Sequence, residues 1–210
     1  MLFVSSGSDG TVKVWNDRGL LRSSEKFTND ITAVAVAREG NFIACGDRAG
    51  TCFLIDLTTM KKTGEGYKRT NALKKSKAPW VEAMKVSPTD EYVAWGAHGG
   101  LAVVEIGKVI EGNLKKFKAI SRGSTSITQL DWSEDGETVS YCAGEPLAVS
   151  VSAGKASYPS GCKDSTWATW SQIFGWGVQG IWQGGIDYSN INCTARSHGE
   201  QVIATADDFG

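Results

Sequence analysis

The sequence predicts an all-β fold, a radial β-propeller present as an incomplete arc of about four to five four-stranded blades. Three observations predict it. A unit of two apolar strands around a polar turn recurs without gaps, starting at Ile31, Val81, Ile127 and Ile191. The 25 glycines against 4 prolines suit many tight turns. No segment carries a helical period.

The units read ITAVAVAREGNFIACGD, VEAMKVSPTDEYVAWGA, ITQLDWSEDGETVSYCA and INCTARSHGEQVIATAD. The opening LFVSSGSDG matches only the second half of a unit. A third strand follows most copies: TVKVWN, TCFLID, LAVVE and LAVSVS. Trp15-Asn16 and Ile55-Asp56 stand where a WD dipeptide belongs, so the propeller is expected to be of the WD-repeat type. The expected blade segments are 1–26, 27–67, 80–120, 121–158 and 163–210 within one domain, 1–210. The copies lie further apart than the roughly 40–45 residues a blade takes, which places insertions at 61–79 and 162–190. Both follow an outer strand and precede an inner one, so both are expected on the same face. The half-units at the ends do not complement each other, so the remaining blades are expected outside this chain.

Composition narrows the function classes. Hydrophobic residues make up 41 % and charged residues 21 %, enough for a packed core. The net charge of -1 argues against a bulk polyanion binder. Neither a signal peptide nor an apolar run of the roughly 18 residues needed to span a bilayer is seen, so no membrane partner is expected. Cys45, Cys52, Cys142, Cys162 and Cys193 are odd in number and lack CxxC spacing, which suggests reduced thiols. Asn192-Cys193-Thr194 fits a glycosylation pattern but falls within an expected strand.

The fourth unit and its surroundings are more specific. Leu130 to Ser133 read LDWS, Cys162 to Asp164 read CKD, and Trp167 to Trp170 are rich in tryptophan and threonine. Val178 to Trp182 read VQGIW and Ala206 to Phe209 read ADDF. In this order the elements resemble the C-terminal propeller of the echinoderm microtubule-associated protein-like family. Gln183 departs from that pattern, in which proline is frequent, and the glycine-rich loop after it is shortened. The resemblance implies one of two joined propellers in a microtubule-associated protein of cytoplasm, cytoskeleton or cilium, with tubulin or microtubules as partner. A separate N-terminal region would then supply oligomerisation and much of the microtubule contact. Other WD-repeat adaptors, in ubiquitin-ligase or trafficking complexes, are the alternative.

Two candidate partner surfaces follow. The first is basic: Lys61, Lys62, Lys68, Arg69, Lys74, Lys75 and Lys77 against Glu65 alone. Such a segment is either a solvated connection or an attractor of acidic tails. Nucleic acid is not expected, since only Tyr67 is nearby for stacking. The second is aromatic: Trp167, Trp170, Trp176 and Trp182 are either interface anchors or packing for the long connection.

No enzyme is expected, nor any cofactor or metal. Gly175 to Gly180 fit GxGxxG, but the following IWQGGIDYSN cannot supply the helix that motif needs. His98 and His198 have no cysteine or carboxylate at ligand spacing. Asp9, Trp15, Asp56 and Asp207 are assigned to WD-type structural roles, Asp9 and Trp15 in a buried network left incomplete by the missing Gly-His partner.

Overall fold

A computed structural model describes residues 2–68, 80–98, 103–123, 125–157, 159–173, 191–197, 199 and 201–207. Its strands form five antiparallel sheets of a partial β-propeller. The first sheet holds β1 (Phe3–Ser6), β2 (Val12–Asn16) and β3 (Gly19–Ser23). The second holds β4 (Ile31–Val36), β5 (Phe42–Asp47), β6 (Thr51–Asp56) and β7 (Lys62–Lys68). The third holds β8 (Val81–Val86), β9 (Tyr92–Ala97), β10 (Val103–Ile110) and β11 (Asn113–Ser121). The fourth holds β12 (Gln129–Trp132), β13 (Thr138–Cys142), β14 (Pro146–Ser150) and β15 (Lys155–Ser157). The last described pair is β16 (Ile191–Arg196) with β17 (Ile203–Asp207). Helical structure among the described residues is one 3-10 turn, Pro159–Cys162. None of it could cross a membrane.

Each four-stranded sheet runs in chain order from inner to outer strand, because consecutive antiparallel strands need only short turns. The central strands β5, β6, β9 and β13 are buried on both faces. A lone sheet could not cover them, so the core lies between sheets. Val12, Val14, Ile43 and Ile55 fill the gap between first and second sheets. Leu54, Val81, Trp95 and Leu114 fill the next. Ile106, Ile127, Trp132 and Val149 fill the one after.

Glycines in β5 and β9 set the distance between sheets. A Cβ on Gly46 would stand 2.5 Å from Val81, and one on Gly96 would stand 2.3 Å from Ile127. Val81 opens β8 and Ile127 lies two residues before β12, so each glycine is the seat for the next unit.

β7 corrects one expectation. The insertion assigned to 61–79 begins with a strand, since Lys62–Lys68 pair with β6 as the outer edge of the second sheet.

Candidate interaction surface

The strands place two sets of turns at opposite ends of the sheets. One end carries the turns between second and third strands, and the other carries the turns between first and second strands. At the first end Asp47 accepts from the Ala49 and Thr51 amides at 2.9 and 2.7 Å. Asn29 Nδ2 also donates to Asp47 at 2.9 Å, doing the work expected of a missing histidine. Trp80 stacks on His98 with centroids 3.9 Å apart, and Arg48 lies over the same indole. Glu82 accepts from Trp80 Nε1 at 2.6 Å and stands 3.4 Å from His98 Nδ1.

The structural residues divide differently from expectation. Asp9 is exposed and satisfied locally by Thr11 and Lys13, whose contacts hold its carboxyl well below the usual range. Trp15 donates to Ser5 across the strand pair at 2.8 Å and does not meet Asp9. The buried network expected of these two is therefore corrected. A buried indole–carboxylate pair sits elsewhere: Trp95 Nε1 donates to Glu105 at 2.9 Å, and Glu105 is 3 % exposed. Glu105 pairs with Trp95 across β9 and β10, the place that Phe53 takes opposite Cys45 in the second sheet. Asp56 caps the next turn through the Thr59 amide at 2.6 Å, which lowers its pKa. Asp207 ends β17, paired with Ile191.

The tryptophan-bearing connection lies against the free edge of β12 through one antiparallel bridge and several side-chain hydrogen bonds. Residues 166–173 run antiparallel along the free edge of β12. Glu134 N donates to Thr166 O, and Ala168 N donates to Trp132 O, both at 2.8 Å. Trp167 bridges to Ser133 at one end, and the Ile173 amide donates to Gln129 at the other. Asp131 fixes the middle by accepting from Thr169 Oγ1 at 2.8 Å and from the Thr169 and Ser171 amides. Burial pushes its carboxyl pKa up, while Thr169 and nearby Lys85 oppose the rise. Lys85 is lowered, chiefly by its own burial. Gln172 reaches Ser140 and tethers the connection to β13.

Trp167 and Trp170 answer the packing question in opposite ways. Trp167 is 6 % exposed and packs on Cys162 and Ala148. Trp170 is half-buried, with the Arg196 guanidinium 4.3 Å from its ring. Its φ of 52 places a bulky side chain in the left-handed region, a strain of about 1–3 kcal/mol of the kind that gathers at functional sites. The Trp170 carbonyl accepts from Thr194 Oγ1 at 3.1 Å and holds the strained residue.

Two cavities flank this segment. One of about 880 Å³ is lined by the inner strands, with Ala33, Met84, Leu130, Ile173 and Thr194 among its walls. The other, of about 620 Å³, opens at the first–second-turn end between Val36, Arg38, Val86, Trp170 and Arg196. Arg38 pairs there with Glu134 at 2.9 Å. Trp167 and Trp170 thus stand at this end, whereas Lys68 and Trp80 lie near the Trp80–His98 end.

Lys61, Lys62 and Lys68 are exposed. Arg69, Lys74, Lys75, Lys77, Trp176, Trp182 and the Gly175–Gly180 motif lie outside the described residues. Cys45, Cys52, Cys142 and Cys162 are buried free thiols and Cys193 is exposed, with the Cys45 pKa raised by burial. Arg38, Trp80 and Arg196 were not predicted from the sequence. They stand in turns or at strand ends, where no repeat position marks them.

All of the chain, residues 1–210, matches the family described as Echinoderm microtubule-associated protein second beta-propeller. The 77 kDa echinoderm microtubule-associated protein of Lytechinus variegatus is 27 % identical over 213 residues, covering 100 % of this chain and 31 % of that protein. Human echinoderm microtubule-associated protein-like 3 is 30 % identical over 176 residues, covering 81 % and 18 %. Human echinoderm microtubule-associated protein-like 2 is 28 % identical over 220 residues, covering 99 % and 31 %. The chain therefore spans less than a third of the length of these relatives.

Proposed function

The chain belongs to the echinoderm microtubule-associated protein family, within its second β-propeller, and from that premise we propose a non-catalytic scaffold that helps its parent protein associate with microtubules. The match over residues 1–210 carries this reading. Its site of action is cytoplasmic and cytoskeletal, in keeping with the names of its relatives.

The geometry supports one contact region above others. Tryptophan and arginine dominate the energetics of protein interfaces, and Trp170 and Arg196 stand together at an open mouth. The mouth is rimmed by turns, which tolerate variation while the sheets behind them stay fixed. The lysine-rich segment joining Lys68 to Trp80 is a second contact, drawn to acidic tails by charge.

Affinity capture from cell extract with the whole protein tests the proposal. Tubulin is expected in the captured material. Recovery of a ubiquitin-ligase or trafficking complex without tubulin would replace this reading with an adaptor role. Trp170→Ala combined with Arg196→Ala is expected to reduce tubulin capture by about tenfold or more.

A further inference from the structure

Charge is segregated between the outer strands and the rest of the chain. The outer strands β3 (GLLRS), β7 (KTGEGYK), β11 (NLKKFKAIS) and β15 (KAS) carry seven basic residues and one acid, Glu65. The chain as a whole has a net charge of -1. β7 and β11 lie side by side: Gly64 abuts Asn113, and Lys116 Nζ is 5.9 Å from the Tyr67 ring centroid.

Some of these cations already have structural partners. Arg22 donates to the Leu57 carbonyl, and Lys118 donates to the Val151 and Ser152 carbonyls. Lys116 stands 4.0 Å from Glu105. In contrast, Lys61, Lys62, Lys68, Lys108 and Lys115 form no ion pair among the described residues. Lys108 and Lys115 are direct cross-strand partners in the β10–β11 ladder. Like charges placed opposite each other destabilise a sheet, so the fold gains nothing from this pair. Beside them Phe117 is pushed out by a bulge, where the register skips from Ile106–Lys118 to Gly107–Lys116. It is 42 % exposed, with its ring 5.3 Å from that of Tyr92, over which Lys108 also lies.

We propose that the rim formed by β10 and β11 docks an acidic, extended segment of a protein partner, with its carboxylates on Lys108 and Lys115 and an apolar side chain against Phe117. The docking runs through side chains and not through strand addition, because a bulge and a row of lysines both block pairing at the β11 edge. An acidic polypeptide suits this rim better than nucleic acid, since its cations are lysines and it exposes a single ring for base stacking. Each exposed lysine–carboxylate contact is weak alone, so binding needs several together and falls as salt rises. The inference does not depend on the microtubule reading.

The test is fluorescence anisotropy of a labelled oligoglutamate peptide titrated with the whole protein at low and high salt. Lys108→Glu with Lys115→Glu should weaken binding by about tenfold or more, and Lys108→Glu alone should weaken it by a smaller factor. An equal charge change outside the rim, Arg18→Glu with Lys163→Glu, should leave most of the binding intact. Lys108→Glu places opposite charges across the ladder, so its thermal midpoint should hold or rise while binding falls. Absence of peptide binding, an equal loss in the outside variant, or a lowered midpoint in Lys108→Glu would overturn the proposal. Tighter binding of a single-stranded oligonucleotide would overturn it in favour of nucleic acid. Microtubule co-sedimentation is a separate measurement, and its failure leaves the peptide result standing.

Discussion

Asp90 shows how one side chain can replace a glycine and add a contact. Gly40 and Gly136 take positive φ in the first–second turns of their sheets, with values of 67 and 73. Asp90 takes φ 59 at the equivalent place, and its carboxylate accepts the Arg38 and Glu39 amides of the neighbouring sheet at 2.7 and 2.9 Å. Asp90→Ala keeps the strain and loses the clasp. It should lower stability by about 1–3 kcal/mol, and Asp90→Gly should cost less, as read by thermal denaturation. Acid titration separates two kinds of carboxyl. Asp9, Asp56 and Asp135 accept hydrogen bonds that lower their pKa below 3.8. The stability they supply is present above 3.8 and is lost as pH falls through their folded values. Asp131 runs the other way. Burial raises its folded pKa, so protonation favours the fold and partly offsets that loss. Asp131→Ala should therefore steepen the acid-side loss. It should also open residues 166–173 to protease at neutral pH, because the Thr169 and Ser171 donors lose their acceptor.

The unit of construction is the seat that one sheet offers the next. Gly46 receives Val81 and Gly96 receives Ile127, so a methyl group at either position would collide with a buried side chain. Gly96→Ala should lower the thermal midpoint through overpacking of about 1–3 kcal/mol, with little effect on charge-driven binding. The repeat made these elements legible in part: first and second strands stand where the aligned units place them, whereas the third strand read as LAVVE runs on to Ile110 as β10. The aligned position in the fourth unit is Cys142, and it is there that residues 166–173 enter beside β12. The outer strands were much less legible. β7 carries exposed lysines and two glycines, β11 carries three lysines, and a bulge breaks the alternation in β11, so neither has a clean period of two. The segment along β12 was hidden for a related reason. Thr169 and Ser171 read as loop residues, and only the long-range acceptor Asp131 ties them to β12.

At the scale of the molecule, stability and recognition draw on different parts. The apolar clusters lie between sheets, while Trp170, Arg196 and the exposed lysines lie at turn ends and on the outer rim. Family membership came from the ordered signature at Leu130 to Phe209, and the match to residues 1–210 agrees with it. The contact residues could not be read the same way, since Trp167 and Trp170 share a motif and line one mouth, yet the first is buried and the second half-buried under Arg196. Charge reversal at Lys74, Lys75 and Lys77 should weaken partner binding most at low salt, measured as affinity against ionic strength. The most direct measurement is co-sedimentation of the whole protein with assembled microtubules, beside the same protein carrying Trp170→Ala and Arg196→Ala. The account predicts that the unaltered protein enters the pellet and the variant does so about tenfold less tightly. An unaltered protein that stays in the supernatant at saturating microtubule concentration would contradict it.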